Sequence, residues 1–111
     1  MSSKIISEVV MFTKQYLKTK DVCRVRFKVR KKVIGTAETV NLVGDFNNWD
    51  EKAGAMKKLK NGDFSTVLDL EPERSYQFRY LVDDTRWIND ESADIYLPSP
   101  FHGEDNSVIT I

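Results

Sequence analysis

The chain has 111 residues, of which 41% are hydrophobic and 31% are charged, the composition of one ordinary globular domain. Its 17 basic residues balance its 17 acidic residues, so no overall charge favours nucleic acid or an anionic membrane as a partner. Because no stretch approaches the ~20 apolar residues of a membrane span and no signal-peptide cleavage site follows the first residues, we expect a cytoplasmic protein.

The N-terminal residues show a helical spacing. Between residues 5 and 17, apolar side chains recur three or four positions apart: Ile5, Val9, Phe12 and Tyr16. This pattern predicts one or two amphipathic helical turns, or else a loose extension. We therefore expect an N-terminal extension over residues 1–20 and a separate domain over residues 21–111.

The first clear strand covers residues 22–30 and alternates strictly between apolar and basic side chains. Its inward row is Cys23, Val25, Phe27 and Val29. The basic row is expected to be a solvated sheet surface, because no aromatic side chains are interleaved with it as in a nucleic-acid interface. Cys23, the only cysteine, should be a buried core residue. With His102 as the only histidine, no metal-ligand cluster exists and no cofactor or metal is predicted.

Residues 40–50, VNLVGDFNNWD, begin as an apolar strand and end in turn residues. Asn47 and Asn48 tolerate a left-handed backbone, so the strand should end near Gly44. Trp49 then lies on a loop, where it either caps the edge of the sheet or forms a binding platform.

Two hairpins follow. Asn61 and Gly62 form a tight-turn signal before an arm over residues 64–70. The longest strand, residues 75–83, is expected to point one row into the core and the other outward. The inward row is Tyr76, Phe78, Tyr80 and Val82, and the outward row is Gln77, Arg79, Leu81 and Asp83. Since Trp87 follows a short loop, it should lie beside the outward row, where Arg79 stands.

The last strand covers residues 107–111 and follows an irregular connection around Pro98 that cannot be a central strand. Its two rows are Ser107, Ile109 and Ile111 on one face, and Asn106, Val108 and Thr110 on the other. About seven short strands with turn signals between them predict an all-β, two-sheet sandwich.

Three stretches, in this order, resemble carbohydrate-binding module family 48, the early-set or isoamylase N-terminal type of domain: VNLVGDFNNWD, YQFRYLVDDTRW and GEDNSVITI. The family includes the domain that precedes the catalytic barrel in α-glucan branching and debranching enzymes of glycoside hydrolase family 13. It also includes the glycogen-binding domain of the AMP-activated kinase beta subunit. The resemblance covers residues 22–111 and implies an immunoglobulin-like β-sandwich.

Members that bind sugar use two tryptophans stacked on glucose rings, a basic residue on the hairpin strand and an asparagine before the last strand. By motif, the resemblance assigns these carbohydrate-binding roles to Trp49, Trp87, Arg79 and Asn106. The chemistry suits a pyranose, whose C–H face packs on an aromatic ring and whose hydroxyl rim bonds to guanidinium and amide groups. The implied function is a module that binds glycogen or maltooligosaccharide in glycogen or starch metabolism.

The sequence departs from the kinase-type domain in three places. A lysine stands there in the position of Arg79, which keeps the charge and changes the geometry. The apolar residue that can push through a helical glucan is replaced by His102, which either covers the loop or bonds a hydroxyl. The hairpin turn before Trp87 is one residue longer.

Catalysis is not expected, because the acidic residues lie mostly in predicted turns and the barrel of ~250 residues that hydrolyses glucans in the related enzymes is absent from the sequence. The alternative to sugar binding is a protein-interaction or regulatory domain. It would dock on a glycogen-metabolism enzyme of the glycoside hydrolase family 13 type, with the tryptophans as interface anchors and with weak or no sugar binding.

Overall fold

The computed structural model describes residues 12–17, 21–99 and 105–111, which form two antiparallel β-sheets packed face to face. The first sheet has the order β1-β2-β5-β4: β1 is Phe12–Tyr16, β2 is Cys23–Val29, β4 is Lys57–Lys58 and β5 is Phe64–Leu70. The second has the order β3-β6-β9-β8, with β7 paired to β6: β3 is Val40–Gly44, β6 is Ser75–Val82, β7 is Arg86–Ile88, β8 is Ile95–Pro98 and β9 is Asp105–Thr110. The predicted all-β, immunoglobulin-like sandwich is confirmed, with nine strands in the described residues rather than about seven.

In the part of the chain that the structure describes, helical structure is limited to short turns. A single-turn helix, α1, covers Lys31–Ile34 between β2 and β3, and a 3-10 turn covers Asp45–Asn47. Within the described ranges, no helix is long and apolar enough to cross a membrane.

The described part of the N-terminal segment is a strand and not a helix. β1 pairs with β2 in antiparallel register, with Phe12 opposite Phe27. Phe12 is buried and its ring lies 6.2 Å from that of Phe27, whereas Tyr16 is 58% exposed, so the helical spacing does not define one buried face. The side chain of Lys14 then donates to Asp94 Oδ2 at 3.1 Å and to the Thr110 carbonyl at 2.7 Å, which ties β1 to the second sheet. The rest of the predicted helix, residues 5–11, lies outside the described residues.

The core follows the predicted alternation. The four inward side chains of β2 are fully buried, including Cys23, whose expected burial is confirmed. Phe27 lies at the centre, with ring centroids at 5.4 Å from Phe78 on β6 and 5.8 Å from Phe46. The contact between Phe27 and Phe78 joins the two sheets, and aromatic pairs at these distances contribute about 1 kcal/mol each beyond their buried area.

The hairpin predicted at Asn61 and Gly62 is confirmed. β4 and β5 pair antiparallel with Lys57 opposite Ser65, and Gly62 has a φ of 95°, in the left-handed region that glycine adopts without strain. The connection expected to be irregular around Pro98 instead contains β8, an edge strand that pairs only with β9 among the described strands. Pro98 is its last residue, which agrees with the exclusion of proline from central strands.

The segment after Trp49 runs along the free edge of β3. Leu42 N–H donates to the Gly54 carbonyl at 2.8 Å, and Met56 N–H donates to the Val40 carbonyl at 2.9 Å. Gly54 has no room for a side chain, because an ideal Cβ would lie 1.9 Å from the Leu42 carbonyl oxygen. The backbone of the loop is thereby held against β3.

We expect Gly54→Ala to lower the free energy of unfolding by about 3 kcal/mol, because the new methyl group meets backbone that cannot move aside. Urea unfolding at pH 7 measures this loss. The matched control is Gly35→Ala, since a Cβ there meets nothing within 4 Å and only the backbone conformation is unfavourable, with a φ of 75° and a ψ of −159°. Because these angles lie in a region almost confined to glycine, that change should cost about 2 kcal/mol through backbone strain alone. Equal losses in the two variants would contradict the steric explanation.

The turn between β6 and β7 carries Asp83, whose carboxylate bonds the backbone just before β3. Asp83 Oδ1 accepts the backbone N–H groups of Glu38 at 2.7 Å and Thr39 at 3.0 Å. These bonds lower the pKa of Asp83 from its ordinary 3.8, and the bond from Thr39 has the larger effect. A carboxyl group whose pKa is lower in the folded than in the unfolded state stabilises the fold fully at any pH above the unfolded-state pKa. The stabilisation is lost as pH falls through the folded pKa.

We therefore expect Asp83→Asn to be less stable than the wild type at pH 7 and nearly equal to it at pH 2, because the amide keeps an acceptor oxygen but has no charge. Urea unfolding at pH 7, 4 and 2 measures the difference between the two proteins. A difference that stays constant over this range would contradict the assigned ionisation.

Candidate functional site

The outward side of the second sheet brings together three of the four predicted site residues. The register sets Trp87 of β7 directly opposite Leu81 of β6. On β9, Ser107 is opposite Phe78, so Asn106 is the next residue along and lies beside Arg79. We call the outward residues Arg79, Leu81, Trp87 and Asn106 the tryptophan face.

This arrangement results from two strands that share one side of β6. β9 pairs with Ser75–Phe78, and β7 pairs with Tyr80–Val82, while β3 pairs with the opposite side. β7 and β9 therefore meet end to end, and the Asn89 side chain donates to the Asp105 carbonyl at 2.8 Å across their junction. The junction puts a residue of each strand next to Arg79.

Arg79 and Trp87 are in contact, as expected, but Arg79 is not exposed. Its guanidinium carbon lies 5.6 Å from the centroid of the Trp87 ring, within the range of a cation–π contact. Arg79 is 2% exposed and Leu81 is 2% exposed, although both belong to the outward row. Trp87 is half-buried. The outward row of β6 is thus covered, and the indole is the accessible part of this pair.

Asn106 is also buried, at 3% exposure. Its Nδ2 donates to Gln77 Oε1 at 3.1 Å. Its Oδ1 has no hydrogen-bond partner in the described part of the chain. A buried acceptor without a partner costs about 1–3 kcal/mol, so this oxygen is a place where a donor from outside would be stabilising.

The turn that carries Trp49 is built by its asparagines, as predicted, and β3 ends at Gly44. Asn47 Oδ1 accepts the Gly44 N–H at 3.1 Å, and its Nδ2 donates to the Leu42 carbonyl at 2.8 Å. Asn48 and Trp49 then have φ values of 57° and 59°, and Trp49 N–H donates to the Gly44 carbonyl at 2.9 Å. This tight turn fixes the direction in which the half-buried indole leaves the backbone.

The Trp49 side chain is held by Asp45. Its Nε1 donates to Asp45 Oδ1 at 2.9 Å, and Asp45 Oδ2 accepts the backbone N–H of Gln77 at 2.7 Å. Trp49 is therefore attached to β6, the strand that carries Arg79. Because the indole N–H is already bonded, the ring offers its apolar surface to a ligand.

Asp45 and Gln77 were missed as candidates from the sequence. Gln77 links the turn of Trp49 to the tryptophan face, since its backbone bonds Asp45 and its side chain bonds Asn106. The signals available were the position of Asp45 in the GDFNNW motif and of Gln77 two residues before Arg79 in the outward row. Gln77, which anchors Asp45 and through it Trp49, and Leu81, which lies opposite Trp87, are about 13 Å apart along the strand. His102, another candidate, lies outside the described residues.

The carboxylates near these strands have structural partners. Asp90 is fully buried, and it accepts the Tyr80 hydroxyl at 2.7 Å and both the backbone N–H and the hydroxyl of Ser92. Burial raises the pKa of Asp90, and burial followed by the charge of Asp90 raises the pKa of Tyr80 well above its ordinary value. A raised carboxyl pKa can mark a general acid. Here, however, both oxygens of Asp90 are bonded inside the protein.

In the ranges 12–17, 21–99 and 105–111, no group of three or more histidine, cysteine, aspartate or glutamate side chains could hold a metal ion. The tryptophan face therefore offers one half-buried indole, with the guanidinium of Arg79 and the amide of Asn106 buried beside it.

A search of curated proteins finds no match to this chain. The sequence profile described as the glycogen recognition site of AMP-activated protein kinase matches residues 28–111, which include all four predicted site residues and every strand from β3 onward. The match begins within β2 and covers well over half of the chain, so this protein belongs to the family of the AMP-activated protein kinase glycogen recognition site.

Proposed function

We propose that the chain is a non-catalytic module that binds an α-glucan, either glycogen or a maltooligosaccharide, at Trp49 and Trp87 with the help of Arg79 and Asn106. The observation that supports it most is the register of β7 and β9 on β6, which gathers Trp87, Arg79 and Asn106 on one face. Membership of a glycogen-recognition family supports the choice of an α-glucan over other neutral ligands.

Trp87 would act as the main platform. A glucose ring presents a face of C–H groups, and burying that face against an indole removes apolar surface from water on both sides. The guanidinium of Arg79 lies over the indole at 5.6 Å and limits its motion. Since Arg79 is buried, we assign it a positioning role towards Trp87 rather than the role of a first contact with sugar.

Trp49 would supply a second platform. Its indole is already oriented by Asp45, so little side-chain entropy is lost when a sugar packs on it. The positions on β6 that anchor the two platforms, Gln77 and Leu81, are about 13 Å apart, longer than one pyranose ring. An oligosaccharide should therefore bind more tightly than glucose, because only the longer ligand reaches both rings.

Asn106 would complete the polar part of the site. Its Oδ1 is buried without a partner in the described residues, and a sugar hydroxyl that donates to it would recover the lost hydrogen bond. Reaching it requires a small displacement of the side chains that cover the face. The site therefore combines an exposed apolar surface with a buried acceptor that selects for hydroxyl groups.

A binding role is favoured over catalysis by the state of the carboxylates. Glycosidases use two carboxyl groups facing each other across the scissile bond. Asp45 and Asp83 instead bond backbone N–H groups and Asp90 bonds Tyr80 and Ser92. We place the module in glycogen or starch metabolism and expect a cytoplasmic location, which suits the unpaired thiol of Cys23.

We expect Trp87→Ala to weaken binding of maltoheptaose at least tenfold, because it removes one stacking surface worth about 1.5–3 kcal/mol. Titration calorimetry and tryptophan fluorescence measure the dissociation constant at low and high salt. The wild-type value should change little with salt, because the ligand is neutral.

The matched control is Val67→Ala, which shortens a 39% exposed side chain on the outward side of the first sheet. It should leave the dissociation constant unchanged. No saturable signal from folded wild-type protein at millimolar maltoheptaose would overturn the proposal.

That negative result would favour the alternative of a protein-interaction domain. One observation supports this alternative on its own, namely the exposed apolar side chains of the edge strand β8. Ile95, Tyr96 and Leu97 are 51%, 40% and 38% exposed. Immobilised protein would then retain a glycogen-metabolism enzyme of the glycoside hydrolase family 13 type, and Leu97→Ser would reduce that retention.

A further inference from the structure

Two basic segments that are distant in the sequence meet beside α1. Residues 30–32 read Arg-Lys-Lys, and residues 57–60 read Lys-Lys-Leu-Lys. Together they hold six of the 17 basic residues of a chain with no net charge. Residues of both segments line one depression, and none of the six belongs to the tryptophan face.

The two segments enclose a depression of about 220 Å³. Lys31, Lys58 and Lys60 line it, together with Gly35 and Gly62. The lining contains three lysines and neither an acidic nor an aromatic side chain. In the described part of the chain, none of these three lysines forms an ion pair.

Lys31 and Lys58 are held in place by contacts with neighbouring residues. The stem of Lys31 packs against Gly62, where an added Cβ would lie 2.7 Å from Lys31 Cδ. Lys58 Nζ donates to the Ala37 carbonyl at 3.0 Å, and it lies 5.9 Å from the centroid of the Phe64 ring. These contacts leave donors on both ammonium groups.

Two carboxylates, Asp63 and Asp83, belong to the surroundings of these lysines. Asp63 is 6% exposed, and its Oδ1 accepts the backbone N–H of Lys31 at 2.8 Å. Its Oδ2 accepts Asn61 Nδ2 at 3.1 Å and lies 3.9 Å from Lys28 Nζ, so Asp63 bonds the two loops from inside. The pKa of Asp83 is lowered first by its hydrogen bonds from Thr39 and Glu38 and to a smaller extent by the charges of Arg86 and Lys58, and within the described residues no ion pair joins Asp83 to Lys58.

We propose that this depression, with Lys31, Lys58 and Lys60 around it, binds a small phosphomonoester, of the size of inorganic phosphate up to a hexose phosphate. Ammonium groups bind phosphate oxygens by charge-assisted hydrogen bonds, and three of them match a dianion. The volume is below that of pockets for drug-sized ligands, and the lining offers no aromatic surface on which a nucleobase could stack. The site is independent of glucan binding.

The test is a titration of ¹⁵N-labelled full-length protein with inorganic phosphate, and separately with glucose 6-phosphate, at constant ionic strength adjusted with NaCl. The amide signals of Gly35 and Gly62 report on the depression, because both residues line it. Both phosphates should move these signals saturably. Glucose at the same concentration should not, since it lacks the charged group.

Lys60→Ala should weaken phosphate binding about fivefold to tenfold, because it removes one charged donor. The side chain is exposed, so folding should be unaffected. Lys57→Ala is the matched control. It removes the same charge from the residue next to Lys58. Lys57 is paired with Ser65 and Lys58 with Phe64, and successive side chains of a strand point to opposite faces, so the Lys57 side chain lies on the other face of β4.

Lys57→Ala should change the dissociation constant less than twofold. Equal weakening by Lys57→Ala and Lys60→Ala would overturn the proposal, because it would show attraction by overall charge. Signals of Gly35 and Gly62 that move linearly without saturating, or that do not move, would also overturn it. Binding of inorganic phosphate with equal affinity to glucose 6-phosphate would assign the site to the phosphoryl group alone, and tighter binding of the sugar phosphate would extend it to the hexose.

Discussion

The rest of the structure depends on the pairing of β6 on both sides. Buried backbone groups must be hydrogen-bonded, and β6 satisfies this with β3 along one side and with β9 and then β7 along the other. Where β3 ends at Gly44, the next free donor, the N–H of Gln77, is taken by the carboxylate of Asp45. One strand therefore orders the core through its inward row, the tryptophan face through its outward row, and the turn of Trp49 through its backbone.

The phenylalanines of the core and the two tryptophans are positioned by different interactions. Phe27 and Phe78 are fully buried and join the sheets, so their positions are set by packing. The two tryptophans are half-buried, and each is oriented by a polar partner, Asp45 for Trp49 and Arg79 for Trp87. A large indole kept partly in water and fixed in direction is the arrangement expected of a recognition surface, because orientation before binding reduces the entropy lost on binding.

Local alternation was sufficient to predict the inward rows of β2 and β6, the hairpin at Gly62 and the end of β3, because these follow from a period of two and from turn chemistry. Alternation could not predict the burial of Arg79 or Asn106. A period of two shows on which face of the sheet a side chain lies, but it does not show whether other groups cover that face. The spacing around Phe12–Tyr16 predicts helical turns or a loose extension, because a short segment with few apolar residues fits both periods, and the pairing with β2 makes it a strand. The bond from Gln77 to Asp45 depends on a register between residues 32 positions apart, which local sequence does not carry.

The topology also has a consequence for how the chain folds. β2 pairs with β5, β3 with β6 and β6 with β9, so most of the pairing joins segments that are tens of residues apart. Proteins dominated by such distant contacts fold slowly, in milliseconds to seconds, because loop closure precedes the contacts that stabilise it. Asp45 can reach the N–H of Gln77 only after β3 has paired with β6. The indole of Trp49 thus acquires its final surroundings only when these two strands have paired, so its emission reports on that long-range step of folding.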